Sequence, residues 1–483
     1  MKRIQLNMGK YLIVQTSFFI ALILLSGSGQ IAAQSAESTN LTQPAAETPM
    51  MRGLGVGTHF GRKPNWDVDK VLPLLKEMGV SVIRDGPEWA TVEKTKGHYE
   101  IPPDDQYWFD KVTQSGIRVV LVLMRRNDIY ENPLDPDAFA RWAAYMARTW
   151  KSPQVLAYEI WNEPPNFDFP ELYGKDSDWI QKYSEMVRKA TDAIHKVNPN
   201  ATVLHNLEEQ QWFTALEKYS SDYAHVDGMD LHPYPMRVPA EGSPDAPPIT
   251  DADHSLVSYL TISAIDYSKK YLGHPLPMYV GEYGFPVIKG ERNGWKGVTE
   301  TAQAAYEVRG MLQGLHYGVK LWCFYDMVND GTDPKEEEDN FGLVRNIDQN
   351  YEPKPAFYSL QRVARLMGAD WQIDTRARAT LDTTPASAMV VNASLVRGPQ
   401  MFWFRVGKDY ITYVWKAGEY EGPTSAVTGA IIWSNAPRLA RVEVQDLVTG
   451  KEVPATLSGA KGKVTLSGVP VGSNPIAIRW VAK

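Results

Sequence analysis

The feature that most restricts the fold of this chain is an eightfold alternation of short apolar runs with helix-length segments between Gly53 and about Met367. The runs are Leu54–Phe60, Val80–Asp85, Arg118–Met124, Val155–Trp161, Thr202–Asn206, Gly228–His232, Met278–Gly281 and Lys320–Tyr325. Short apolar runs bounded by turn residues read as buried strands. The segments after them, such as Asp69–Met78, Pro136–Trp150, Ser177–Val197, Leu256–Tyr271 and Thr301–Leu315, have the length and stop signals of helices, with Gly79 after Met78 and Pro199 shortly after Val197. Strict alternation of this kind predicts a parallel sheet covered by helices. Eight such units fit a (β/α)8 TIM barrel, ordinarily ~250 residues with insertions allowed. A doubly wound open sheet is the rival architecture, but no Gly-rich phosphate loop follows any of the strands.

Past Met367 helical periodicity stops. Phe402–Val406, Tyr410–Trp415, Ala430–Trp433, Arg441–Asp446, Lys463–Leu466 and Ile476–Trp480 read as short strands, broken by Gly407, Gly450, Gly462 and Pro470-Val471-Gly472. They predict a second, all-β domain of sandwich type. At the other end, Lys2, Arg3 and Lys10 precede an apolar stretch from Tyr11 to Leu25, and small residues follow from Ser26 to Ala36. That is the pattern of a cleavable export signal, and its apolar part is shorter than the ~20 residues a spanning helix needs. The expected organisation is a signal peptide over 1–36, a flexible spacer over 37–50, the barrel over 51–368 and the β-sandwich over 369–483. The mature protein is expected to be secreted or periplasmic, with no membrane span.

Composition removes several classes of function. The formal charge is −7, and loss of Lys2, Arg3 and Lys10 with the leader makes it more negative, the wrong sign for a nucleic-acid binder. A lone cysteine, Cys323, excludes an intramolecular disulfide and a cysteine-clustered metal site. The nine histidines show no metal-ligand spacing, so neither a catalytic metal nor another cofactor is expected.

In a (β/α)8 barrel the reactive face lies at the carboxyl ends of the strands. Two glutamates stand there. Glu163 closes the fourth run in Tyr158-Glu159-Ile160-Trp161-Asn162-Glu163-Pro164, and Glu282 closes the seventh in Tyr279-Val280-Gly281-Glu282-Tyr283-Gly284. A carboxylate at the mouth of an apolar strand is costly unless it is paired, solvated or used. Taken singly, each fits a structural ion pair. Taken together across one barrel, they suit glycoside hydrolysis, in which one carboxylic acid protonates the leaving oxygen and one carboxylate attacks or activates water.

Trp161-Asn162-Glu163-Pro164 on strand four, with Glu282 on strand seven, resembles the clan A glycoside hydrolases. This retaining (β/α)8 group includes family 5 endoglycanases and family 39 xylosidases and exopolysaccharide hydrolases, and the resemblance spans the whole barrel. It implies an oligosaccharide or polysaccharide substrate cleaved by double displacement through a covalent glycosyl-enzyme, with Glu163 as general acid/base and Glu282 as nucleophile. It further implies that Asn162 hydrogen-bonds the sugar 2-hydroxyl and that Arg84, in Val82-Ile83-Arg84-Asp85, keeps the nucleophile ionised. His232 and Tyr234, in Leu231-His232-Pro233-Tyr234-Pro235, match a His-x-Tyr pair whose tyrosine orients the nucleophile, and Trp322 resembles the aromatic floor of the cleaved sugar's subsite. Retention requires carboxyl groups ~5–5.5 Å apart, against ~6.5–9.5 Å for inversion. One departure stands out. Family 5 members usually place a histidine after strand three, where this chain has Leu123-Met124-Arg125-Arg126. That points to the family 39 side, and it leaves open whether Arg125 or Arg126 meets an acidic sugar or is solvated or structural.

Other residues carry weaker expectations. His59, ending the first strand, is expected to contact sugar. Glu159 shares the parity of Glu163 but lies about one pleat repeat deeper, so it is read as the buried partner of an arginine. Trp66, Trp89, Trp108, Trp212 and Trp295 are candidates for outer subsites, with at least half of them expected in the core. The acidic loop from Asp330 to Asn340 departs from the usual calcium-loop spacing and is read as a solvated lid. The sandwich is expected to be structural, with Trp403, Trp415 or Trp433 offering a carbohydrate-binding alternative. The competing function is a non-catalytic carbohydrate-binding or polysaccharide-secretion scaffold, which would not need both glutamates and their matching partners. A lyase or isomerase on the same barrel is the second rival, since fold alone does not fix function.

Overall fold

The structure, a computed structural model, describes residues 48–483 apart from 63–65, 176, 208, 238, 243–255, 385–389, 393–394 and 423–424. The expected signal peptide and most of the spacer lie outside the described residues. Among the described residues no helix is long and apolar enough to cross a membrane.

The eight expected strands are β1 (Leu54–Gly57), β2 (Val82–Asp85), β3 (Arg118–Leu123), β4 (Val155–Ile160), β5 (Val203–Asn206), β6 (Gly228–Leu231), β7 (Met278–Val280) and β8 (Trp322–Phe324). Each pairs in parallel with the next, and β8 pairs with β1 to close the barrel. The first long helix, Val68–Met78, stops at Gly79, whose φ of 86° is a left-handed cap that glycine adopts without steric cost.

The pleat divides each strand between the barrel interior and the helix layer. Val82, Val120, Ala157, Leu204, Leu321 and Cys323 form an apolar plug within the barrel. Two residues further along their strands, at the same parity, stand Arg84, Glu159 and Asn206, and Asp230 follows Gly228 in the same way. The interior therefore changes from apolar to charged just below the mouth.

In the C-terminal region a six-stranded sheet contains Trp371–Ile373, Val390–Asn392, Leu395–Val406, Asp409–Ala417, Leu439–Asp446 and Ile476–Ala482. A four-stranded sheet contains Ala379–Thr384, Val427–Trp433, Thr456–Ala460 and Lys463–Val471. Trp403, Val414, Ile478 and Trp480 of the first sheet pack against Ile431, Trp433, Val464 and Leu466 of the second. The other face of the six-stranded sheet, with Phe402, Phe404, Tyr413 and Trp415, joins the core of the barrel. The His316 ring at the end of helix Glu300–His316 lies 5.0 Å from that of Phe402.

Because these faces are packed against one another and against the barrel, the carbohydrate-binding alternative for the three tryptophans is corrected. Trp403, Trp415 and Trp433 are 6%, 0% and 1% exposed and offer no face to a sugar. Trp66, Trp89, Trp108 and Trp212 are core residues as well, while Trp295 is partly exposed.

Close packing of the helix layer makes a testable demand. A Cβ at Gly314 would stand 2.2 Å from the Trp322 ring. Gly314→Ala is expected to lower unfolding stability by about 1–3 kcal/mol through overpacking, even though alanine is the better helix former. Denaturant titration reads this as a lower midpoint, and an unchanged or raised midpoint contradicts the packing.

Candidate active site

Arg84, at the end of β2 and 3% exposed, is the centre of the charged layer. Its Nε and Nη2 donate to the two oxygens of Glu159, both at 2.7 Å. Nη2 also donates to Asn162 Oδ1 at 2.7 Å, and Nη1 donates to Glu282 Oε1 at 2.6 Å. A planar guanidinium with five donors suits this arrangement, whereas an ammonium would not span it. Glu159 is thus the buried arginine partner that its depth implies. Burial pushes its carboxyl up to about 7, against the pull of Arg84 and with Asp230 adding to the rise.

Glu282 is held at both oxygens. Besides Arg84 on Oε1, the Tyr234 hydroxyl donates to Oε2 at 2.8 Å. Burial, then the Glu282 carboxylate, pushes the Tyr234 phenol well above its ordinary value, so the hydroxyl keeps its proton and remains a donor. The residue before Glu282 has to be small, since a Cβ on Gly281 would lie 2.1 Å from the Asp230 carboxylate.

Glu163 follows β4 through a backbone in which Trp161 (φ 69°) and Glu163 (φ 42°) are both left-handed. Such strain in non-glycine residues persists only where surrounding structure enforces it, and it gathers at functional sites. Here the Glu163 N–H donates to Asn206 Oδ1 at 2.7 Å. Asn166 Nδ2 donates to Glu163 Oε2 at 3.1 Å, and His232 Nδ1 lies 2.8 Å from Oε1. On its other side, His232 Nε2 meets Asp230 Oδ2 at 3.1 Å, an oxygen that also receives Asn206 Nδ2 at 3.1 Å.

The electrostatics of this site turn on the contact between His232 and Glu163. Burial works against a charged His232, but the negative charge of Glu282 and the hydrogen bonds to Asp230 and Glu163 prevail, holding the imidazole well above its ordinary value. Burial likewise works against an ionised Glu163, and the hydrogen bond and charge of His232 outweigh it, so its carboxyl is lowered. The two shifts run in opposite directions, the imidazole up and the carboxyl down, because the histidine of the His-x-Tyr pair bonds directly to Glu163.

One oxygen of Glu163 and one of Glu282 lie within 4.8 Å of each other, with His232 Nδ1 in the same cluster. The barrel therefore brings Glu163, Glu282, Arg84, Asn162, His232 and Tyr234 into one site.

Trp322 is a correction. Leu321 and Cys323 face the barrel interior, so Trp322 between them faces the helices, 0% exposed, with its ring 4.7 Å from that of Tyr283. The aromatic at the mouth is Tyr325, at the same parity as Cys323. Its ring stands 6.3 Å from Tyr234 and 5.6 Å from His59, and its hydroxyl donates to Glu338 Oε2 at 2.7 Å. Strand parity alone could have found it. Asn206 and Asp230 were also missed, although both occupy inward positions near strand ends.

His59 is placed by Asp85, whose Oδ2 accepts from Thr58 Oγ1 and Phe60 N on either side, both at 2.8 Å. Its ring is 4% exposed, with Nδ1 3.3 Å from Asp330 and 3.8 Å from Asp326. Arg125 lies 3.9 Å from Glu88 and over the Phe167 ring, while Arg126 lies 3.2 Å from Asp128 and 3.5 Å from Glu171. Both arginines are thus engaged with protein groups. The acidic loop is tied down by Glu338 on Tyr325 and by Glu336, 2.7 Å from Arg292.

Residues 48–327 match the model of the family Cellulase (glycosyl hydrolase family 5), and the chain belongs to that family. It is accordingly a retaining glycosidase acting on a carbohydrate, which sets aside the scaffold reading. No curated protein matches it. Among solved structures, a family 39 glycoside hydrolase from the gut symbiont Bacteroides cellulosilyticus WH2 is similar at 20% identity and TM-score 0.64, over 90% of this chain and 81% of that one. A family 30 subfamily 8 xylanase from Clostridium acetobutylicum (12%, TM-score 0.55) and a family 30 endoxylanase from Clostridium papyrosolvens C71 (12%, TM-score 0.53) each cover 91% of this chain and 98% of their own. These likenesses are of fold. The Arg125-Arg126 departure pointed to family 39, whereas the family model matched is family 5.

The Glu163–His232 pair carries a pH signature. Glu163 is lowered from 4.5, so its contribution to stability is present above 4.5 and is lost as pH falls through the folded value. His232 is raised from 6.5, so its contribution is complete below 6.5 and is lost as pH rises towards the folded value. Denaturant unfolding should therefore show the stability advantage of the native chain over His232→Gln greatest between those two values. An advantage that stays flat across both limits contradicts the pair.

Proposed function

We propose that the chain is an exported enzyme that cleaves an oligosaccharide or polysaccharide by double displacement, with Glu282 as nucleophile and Glu163 as general acid/base. The observation that carries this reading is the closeness of the two carboxylates, with oxygens within 4.8 Å of each other. That spacing suits direct attack, at ~5–5.5 Å between carboxyl groups, better than the ~6.5–9.5 Å that admits a water in inverting enzymes. Export rests on the basic and apolar N-terminal pattern alone.

In the first step Glu282, aimed by Arg84 and Tyr234, attacks the anomeric carbon, and the bond to the leaving oxygen breaks as Glu163 gives that oxygen a proton. The proton comes to Glu163 Oε1 from His232 Nδ1, 2.8 Å away. A sugar filling the mouth displaces water from the Glu163 carboxylate, which favours its neutral form and draws the proton across. In the second step Glu282, now an ester, carries no charge. Glu163 takes a proton from water, which attacks the anomeric carbon and releases Glu282. Asn162, its oxygen committed to Arg84, presents its amide N–H groups to the 2-hydroxyl, and Tyr325 supplies the flat face assigned earlier to Trp322.

Reducing-end release from a panel of polysaccharides and aryl glycosides tests the reading. Glu282→Gln and Glu163→Gln should each lose about 10²–10⁴-fold in rate, and NMR of the first product should show retained anomeric configuration. Inversion, or variants that match the native chain on an active substrate, would sink the assignment.

A further inference from the structure

The loop that leaves β6 carries His232 and Tyr234 in its first residues and Glu241 further on, and Glu241 lies far from the reacting carboxylates in sequence but is 0% exposed. A carboxylate withdrawn wholly from water requires compensation by charge and hydrogen bonds. Half of that compensation comes from the barrel. Arg309, on helix Glu300–His316 and itself 0% exposed, grips Glu241 as a fork, with Nε 2.6 Å from Oε1 and Nη2 bonded to Oε2.

The other half comes from the sandwich. Trp415 Nε1 donates to Glu241 Oε1 at 2.8 Å, and the Gly418 N–H donates to Oε2 at 3.3 Å. Arg309 Nη2 in turn donates to Gly418 O at 2.8 Å, so the ion pair is closed in by the sandwich.

A second line of contacts runs to the same loop. The two-stranded hairpin over residues 291–296 is bonded to it, Lys296 N to Met236 O at 3.1 Å and Arg237 Nε to Gly294 O at 2.9 Å. The hairpin's Trp295 ring meets that of Tyr234 edge-on at 5.0 Å. Lys296 Nζ lies 3.5 Å from Glu419 of the sandwich, and the neighbouring Tyr420 N–H donates to Tyr306 Oη on the Arg309 helix at 2.7 Å. Sandwich residues 415–420 thus hold the β6 loop directly through Glu241 and indirectly through the hairpin.

We propose that the sandwich is a working part of the active site, with Glu241 and Trp415 as positioning residues that hold the β6 loop where Tyr234 can hydrogen-bond Glu282. This deepens the site reading above and rests on it. The contacts are specific, reaching the loop at Glu241 and again at Met236 and Arg237, close to the Tyr234 that meets the nucleophile. Loosening Trp415 should therefore act on turnover through Tyr234, and a general loss of packing should not.

Trp415→Phe keeps an aromatic ring in the sheet while deleting the Nε1 donor, which makes it a better probe than Glu241→Ala, which would leave Arg309 buried and uncompensated. In the full-length chain it should lower kcat about tenfold with KM little changed, and in a Tyr234→Phe background it should have almost no further effect. Trp403→Phe, also buried but facing the second sheet, should lower the melting temperature without that fall in kcat. An equal fall from Trp415→Phe in both backgrounds, or the same fall from Trp403→Phe, overturns the coupling while leaving the site reading intact. Tyr234→Phe with native turnover would instead remove the role of Tyr234 in the site, and the proposal with it.

Discussion

One buried guanidinium organises the mouth of this barrel. Arg84 bonds Glu159, Asn162 and Glu282 together, so β2, β4 and the end of β7 are fixed relative to one another by a single side chain. Taking Arg84 away would leave two carboxylates in the barrel interior without their cation, a change of the kind that costs 3–5 kcal/mol. The apolar plug beneath it makes that dependence stronger, because Val82, Ala157 and Leu204 leave no polar alternative below the charged layer.

The same layer contains more acid than base. Among the described residues, the cationic partners of Glu159, Asp230, Glu163 and Glu282 are Arg84 and His232. Packed acids of one sign cannot all remain ionised at low dielectric without cost, and the excess is met by proton uptake. Glu159 is pushed up to about 7 and the His232 imidazole is held well above its ordinary value. A site built this way favours a proton on His232, 2.8 Å from the Glu163 carboxylate proposed to deliver one. That is an alternative to the apolar pocket as a means of supplying a general acid.

Much of the architecture is legible in the sequence because burial imposes a period. All eight barrel strands are covered on both faces, so their apolar runs are continuous, and the catalytic candidates stand where those runs end. Strands such as Ala379–Thr384 and Thr456–Ala460 escape notice because they are largely or wholly exposed on one or both faces and carry almost no apolar pattern. Trp322 and Tyr325 show a different limit: both are aromatic and both close to the end of β8, and only the inward parity of Cys323 separates a core residue from one at the mouth. The tryptophans of the sandwich could not be placed from composition, since nothing local reveals that a sheet is covered from both sides. The contact between Glu241 and Trp415 is likewise beyond local reading, because it joins residues 174 positions apart in different domains.

The position of that contact follows from how labour is divided at the site. A single loop serves both carboxylates, since His232 meets Glu163 and Tyr234 meets Glu282 within three residues of chain. Displacement of the loop would disturb the contacts of Glu163 and Glu282 together, so its tolerance for movement is less than that of a loop serving one group. Strand β6 fixes its near end. Further along, at Glu241, the loop is gripped by Arg309 of the barrel and by Trp415 and Gly418 of the sandwich. A buried ion pair enclosed by a second domain is a hold that strand β6 does not itself provide, which gives the sandwich a physical reason to be packed against this flank.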